Sequence, residues 1–294
     1  DNYEGVHLRR AVHQLAAKDF PKGIGMPITF ELPGGGFAAL TEANVMGYSG
    51  MTLAFDGSWS LKSEFRDDPE GWEMNGEIVT PWRVLIVADD LNGLVNCDIS
   101  PALCPPPNPK LFPRGIRTAW LKPGRMLWQW WAYDDPGTHW TKQKGFVDSA
   151  AALNCQYYLV DEGWEHSRQQ WATDGKTVWD RLKELCDYAA TKNVGIWVWR
   201  GWTYNERRQW PGLETRAKQE EFFRRCAEVG VKGAKVDFMD NESHDRLAFY
   251  EDCTCAAAEH KIMINFHGAN KPAGEARTWP NEMTRESIRG HEYH

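Results

Sequence analysis

Hydrophobic and polar positions follow two different patterns on either side of a proline-rich stretch near residue 110. Before it, the short apolar runs Pro27-Ile-Thr-Phe-Glu-Leu32, Met51-Thr-Leu-Ala-Phe55 and Trp82-Arg-Val-Leu-Ile-Val-Ala88 are broken by Gly, Pro, Asn and Asp. Short strands between turn formers predict a β-rich, sandwich-like region over residues 1–104, with one short helix where the apolar spacing of Val6 to Ala17 suits it. Pro105-Pro-Pro-Asn-Pro109 lacks backbone donors and favours extended chain, so 105–113 reads as a linker.

After the linker, strands and helices alternate. Residues 126–131, 156–160, 194–199, 231–236 and 262–266 read as strands, and 141–153, 177–192, 214–229 and 243–259 as helices. The helix over 177–192 carries Thr177 and Asp180 at capping-box spacing and sets Leu182, Leu185, Cys186 and Ala189 on one face. Such a βαβ series predicts an α/β fold with a right-handed parallel sheet. No Gly-rich phosphate loop follows the first strand, which favours a (β/α)8 TIM-type barrel over a doubly wound sheet. A closed barrel needs about eight strands. Only five or six are visible over 114–294, so the barrel is expected to be incomplete in this chain, and the β-rich region before it partial.

Barrel active sites form at the C-terminal ends of the strands. The unusual residues fall there: Asp161, Glu162 and Trp164, then Arg200, then Lys235 and Asp237, then His267. All except Asp237 are candidate substrate contacts. Lys235 and Asp237 stand two apart and so share one strand face, where the ammonium keeps the carboxylate ionised. They form either an oriented acid aimed at a ligand or a surface pair at a strand end. Further on, Glu282, Glu286 and Glu292 are interleaved with Arg277, Arg285 and Arg289 without apolar periodicity, which predicts a solvated loop. Glu286 and Glu292 could converge on one bond or one cation, and hard oxygen donors select Ca²⁺ or Mg²⁺ over zinc.

Composition narrows the function. The 294 residues are 42% hydrophobic, enough for a substantial core, and 34 basic against 41 acidic residues leave a net charge of −7. Without a basic cluster, neither nucleic acid nor an anionic membrane is expected as a partner. No apolar run approaches the roughly 20 residues of a spanning helix, and Asp1-Asn-Tyr-Glu4 lacks the order of a signal peptide. Seven cysteines show no zinc-ligand spacing, although Cys97 and Cys104 could pair in an oxidising compartment. Sixteen tryptophans suit the apolar faces of sugar rings, with Trp164, Trp199 and Trp202 as candidate platforms.

Lys235-Val-Asp237, Phe266-His267-Gly268-Ala269, the run from Thr278 to Glu286, Gly290-His-Glu292-Tyr293 and, upstream, Thr41-Glu42-Ala-Asn44 together resemble glycoside hydrolase family 97, in its retaining, α-galactosidase-like branch. The resemblance implies a β-sandwich before a catalytic barrel, a periplasmic or secreted location, one Ca²⁺, and hydrolysis of terminal α-galactosidic bonds through a covalent glycosyl-enzyme. It makes Asp237 the nucleophile, Glu292 the acid/base, and Glu42, Glu286 and Glu292 the calcium contacts. A carboxylate bound directly to calcium would be too acidic to hold a proton, so Glu292 is expected to touch the metal weakly or through water. Inverting, α-glucosidase-like members carry base carboxylates at the third and fifth strand ends. Here those ends read Trp199-Arg-Gly-Trp202 and His267-Gly268, so inversion would need Glu206 or Glu275 to reach in. A non-catalytic carbohydrate-binding fragment is the alternative outside enzymes.

Overall fold

The computed structural model describes residues 5, 7–20, 23–55, 57, 60–133, 135–290 and 292. Its N-terminal region contains β1 (Ile28–Glu31), β2 (Phe37–Ala43), β3 (Thr52–Phe55), β4 (Leu61–Glu64), β5 (Trp82–Ala88) and two short helices, α1 (Leu91–Val95) and α2 (Ile99–Ala102). These strands form two small antiparallel sheets, β1-β2-β5 and β3-β4. From Val6 to Ala17 the expected helix is absent: Val12–Gln14 and Ala17–Asp19 are separate 3₁₀ turns, and Val6 lies outside the described residues. The strand β2, which carries Glu42, was not foreseen.

The second region runs β6 (Met126–Trp128), α3 (Trp130–Tyr133), α4 (Gln143–Ala152), β7 (Tyr157–Val160), α5 (Val178–Ala190), β8 (Gly195–Gly201), α6 (Arg216–Val229), β9 (Gly233–Asp237), α7 (His244–Glu259), β10 (Met263–Phe266) and β11 (Glu282–Arg285). Six strands form one parallel sheet in the order β11-β10-β9-β8-β7-β6, so neighbours in sequence are neighbours in space. This is the wall of a half-barrel. The arginine-rich stretch expected as a loop instead supplies the sixth strand, β11, with Glu282 buried against Arg285.

Local chemistry sets the helix limits. Thr177 and Asp180 close a capping box on α5, Ser243 caps α7, and Gly230 ends α6 with a left-handed φ of 97°. Leu182, Leu185, Phe222, Phe223, Leu247 and Cys253 from the helices pack on Val198, Val236 and Ile264 of one sheet face. On the other face Tyr157, Leu159, Trp197 and Met263 join Phe112 and Leu121. Side-chain alternation therefore divides every strand into a helix-facing set and a barrel-interior set.

The N-terminal region is bonded to this wall. Asn44 and Gly50 donate to the carbonyls of Ala273 (3.0 Å) and Glu242 (2.8 Å). Asp67 and Asp68 accept from the backbone N–H groups of Glu242 and His244 at the start of α7, each at 2.7 Å. Cys97 and Cys104 are both free; the buried Cys104 thiol faces the Ala273 carbonyl at 3.4 Å, so the possible pairing does not form.

Candidate active site

Strand register builds the site. Trp199 on β8 stands beside Lys235 on β9, and Gly201 beside Asp237, so Trp199, Lys235 and Asp237 emerge on the barrel-interior side at the strand ends. The Lys235 ammonium lies 3.2 Å from Asp237 Oδ2 and 3.2 and 3.3 Å from the two oxygens of Asp161, delivered by the end of β7. It also sits 4.5 Å above the Trp128 ring, whose indole N–H donates to Asp161 Oδ2. Asp237 Oδ2 accepts from Trp199 Nε1 at 2.8 Å, and Oδ1 from the Phe238 backbone N–H at 2.7 Å.

These contacts separate the acidities of neighbouring carboxyls. Burial pushes Asp237 up, but Lys235, His267, the Trp199 indole and the Phe238 N–H outweigh it and hold Asp237 below the ordinary carboxylate range. Burial raises Asp161, and Lys235 only partly offsets it. Glu162 is pushed up to about 7 by burial, with the ion pair to Arg208 working against the shift and Asp161 and Asp237 adding to it. Burial raises Lys235's charging cost, yet its two acids more than compensate and keep it protonated. Beyond β10, His267 Nδ1 lies 2.6 Å from Glu286 Oε2, and this contact lowers Glu286 despite its burial. Environments that push paired carboxyls apart are what acid/base work requires.

Of the residues singled out in the sequence, Asp161, Glu162, Lys235, Asp237, His267 and Glu286 meet at one end of the sheet. Trp164 does not join them. It is 1% exposed, edge-on to Trp171 and Trp179, with its N–H spent on the Trp199 carbonyl at 3.1 Å, so no ring face remains for a sugar. Arg200 also departs from expectation. It pairs with Val236 across the sheet and points to the helices, where it meets Glu165 at 2.9 Å and the Phe222 ring at 4.2 Å. Trp202 is covered by the Arg246 guanidinium at 3.4 Å. Glu292 is exposed. The sequence reading missed Trp128 and Phe238, although both stand at strand ends, and Arg208, which lies in the loop after β8 and which no strand-end rule reaches.

The calcium donor set does not come together. Glu42 is wholly buried on β2, where Oε2 accepts from the Lys271 ammonium at 2.9 Å and the Met51 N–H at 2.8 Å, while Arg83 lies 2.5 Å from Oε1. Two protein cations already neutralise it. Glu286 is held by His267, and among the described residues no three His, Cys, Asp or Glu side chains converge as a metal cage. Glu275, one possible inverting base, is buried with its Oε2 accepting from the Ala273 N–H at 2.9 Å.

Comparison with known proteins is consistent with this geometry. The family model for glycoside hydrolase 97 matches residues 120–288, and that for the glycosyl-hydrolase 97 N-terminal region matches residues 1–106. A probable retaining alpha-galactosidase of Streptomyces bingchenggensis is 38% identical over 74% of this chain and 32% of its own length. A retaining alpha-galactosidase of Bacteroides thetaiotaomicron is 35% identical over 71% of this chain and 30% of its own. The chain thus spans about a third of these relatives. Among solved structures, a beta-arabinopyranosidase superposes with a TM-score of 0.75 at 24% identity, covering 92% of this chain and 42% of that one. A family 97 enzyme from Pseudoalteromonas sp. strain K8, in complex with acarbose, gives 0.74 at 23% identity, covering 91% and 44%. With more than half of the chain matched by the catalytic-region model and relatives above 30% identity, the protein belongs to glycoside hydrolase family 97.

Proposed function

We propose that this chain carries the nucleophile and the acid/base of a retaining, exo-acting α-galactosidase. The observation that supports the reading most directly is Asp237: a carboxylate held ionised at a strand end and oriented by three donors, Lys235, Trp199 and the Phe238 N–H. An acid in that state attacks carbon, whereas a proton donor must hold its proton. In the first step an Asp237 oxygen forms a bond to the anomeric carbon as the glycosidic C–O bond breaks, and the leaving oxygen takes a proton from Glu292. In the second, Glu292 removes a proton from water, the water oxygen attacks the same carbon, and Asp237 is released. Asp161, Lys235 and Glu162 line the deep end and suit the hydroxyls of a terminal sugar. The names of the relatives favour galactose and retention.

Calcium dependence rests on the family resemblance alone, with Glu286 and Glu292 as its remaining donors. Glu42 is occupied by Lys271 and Arg83, so no step is routed through a metal. Unchanged activity after verified metal removal removes calcium from the reading. The central test is Asp237→Ala on a chromogenic α-galactoside. Turnover should vanish, and external azide should restore part of it as a glycosyl azide. Failure of azide to rescue counts against Asp237 as nucleophile.

A further inference from the structure

Of the tryptophans expected to stack on a sugar, Trp164 and Trp199 are buried and Trp202 is capped by Arg246, yet an aromatic side chain does stand open beside Asp237. Phe238 follows the carboxylate directly and is 39% exposed, whereas Trp199 and Trp210 around it are buried. Its φ is 65°, a left-handed conformation that a bulky side chain adopts only where its surroundings enforce it. The conformation brings two successive side chains to one side, where an extended strand would send them to opposite faces. Trp199 shows this directly, since its indole nitrogen holds Asp237 while its ring meets the Phe238 ring edge-on at 5.9 Å.

The ring is braced from behind. Trp210, from the loop between β8 and α6, lies parallel to it at 5.8 Å and an interplanar angle of 3°. Arg208 covers Trp210 at 4.6 Å and pairs with Glu162, tying that loop to the end of β7. The depth of the groups gives the direction of the site. Lys235 and Asp161 lie deepest, at its floor, while Phe238 and the half-exposed Arg208 stand at the rim beyond the strand ends. A sugar whose hydroxyls reach Lys235 and Asp161 therefore has its leaving group at the level of Phe238.

We propose that Phe238 is the leaving-group platform of this site, receiving the apolar face of the sugar or aryl group that departs from the anomeric carbon. The proposal rests on the glycosidase reading above, and its test separates the two. The probes are galactose and a non-hydrolysable phenyl thio-α-galactoside, titrated calorimetrically into wild type, Phe238→Gly and Phe238→Tyr. Glycine adopts the left-handed turn without strain and so removes the ring while keeping the backbone donor. Aromatic stacking of this kind predicts that Phe238→Gly weakens the phenyl probe relative to galactose by roughly two- to tenfold, and that Phe238→Tyr restores the preference. Equal weakening of both probes, or none, overturns the platform. A wild-type chain that binds neither probe overturns the platform and the glycosidase reading together. Phe238-dependent preference for the phenyl probe in a chain whose Asp237→Ala variant shows no azide rescue keeps the platform and overturns the nucleophile assignment alone.

Discussion

Two lysines in this protein are each buried between two carboxylates, and they differ in one respect. Lys235 lies between Asp161 and Asp237 at the strand ends, and Lys271 lies between Glu42 and Glu242 where the N-terminal region meets the sheet. Lys271 is sealed, with its side chain and those of both its acids 1% exposed or less, and it also donates to the Met51 carbonyl at 3.3 Å. At Lys235, the Asp237 side chain keeps 13% of its surface open. The same acid–lysine–acid chemistry thus serves as a clamp where every oxygen is enclosed, and forms the proposed reactive site where one carboxylate still faces out. Charge complementarity alone does not distinguish them; access does.

The largest expected effect separates them at once. Lys271→Met removes the cation shared by two buried carboxylates, leaving Glu42 with Arg83, and should destabilise the fold by about 3–5 kcal/mol, read as a loss in denaturant midpoint. A loss below about 1 kcal/mol would show that the cluster is not a clamp. Lys235→Met should act on turnover instead. Removing a charged hydrogen bond to substrate costs about 1.5–3 kcal/mol, or roughly ten- to hundredfold in kcat/KM. Because Lys235 is a cause of the lowered Asp237 pKa, its loss should also move the acidic limb of the pH–rate profile upward. An unmoved limb with nearly normal activity takes Lys235 out of the site.

Arg200→Met probes the boundary between the two sheet faces. Its bond to Glu165 is made on the helix side, so a loss of about 1.5–3 kcal/mol in stability with kcat/KM unchanged is expected. A fall in kcat/KM without a change in stability would return Arg200 to the substrate. The smallest effect concerns Glu162, whose carboxyl titrates at about 7 against an ordinary 4.5. With a raised folded value, it holds a proton that the unfolded chain has already released. Its stabilisation is full below about 4.5 and is lost as pH rises to about 7. Glu162→Gln should therefore flatten the decline in melting temperature across that window, and parallel curves for variant and wild type would contradict the shift.

The α/β class, the order of the first five strands and the four long helices of the second region, and the shared face of Lys235 and Asp237 were legible in the sequence. Each depends on local periodicity, on cap residues such as Thr177 and Gly230, or on an i,i+2 spacing that any strand enforces. The strand-end rule also located Asp161, Glu162 and His267, because parallel strands deliver their last residues to one rim. Tertiary structure alone decided which of the two alternating faces turns inward: Trp199 stands beside Lys235 on the interior, so its neighbour Arg200, opposite Val236, goes to the helices. It also decided that Glu42 meets Lys271, 229 positions away, and that Phe238 adopts a left-handed backbone. Those outcomes depend on long-range packing and on strain that distant neighbours hold in place, and neither leaves a periodic trace along the chain.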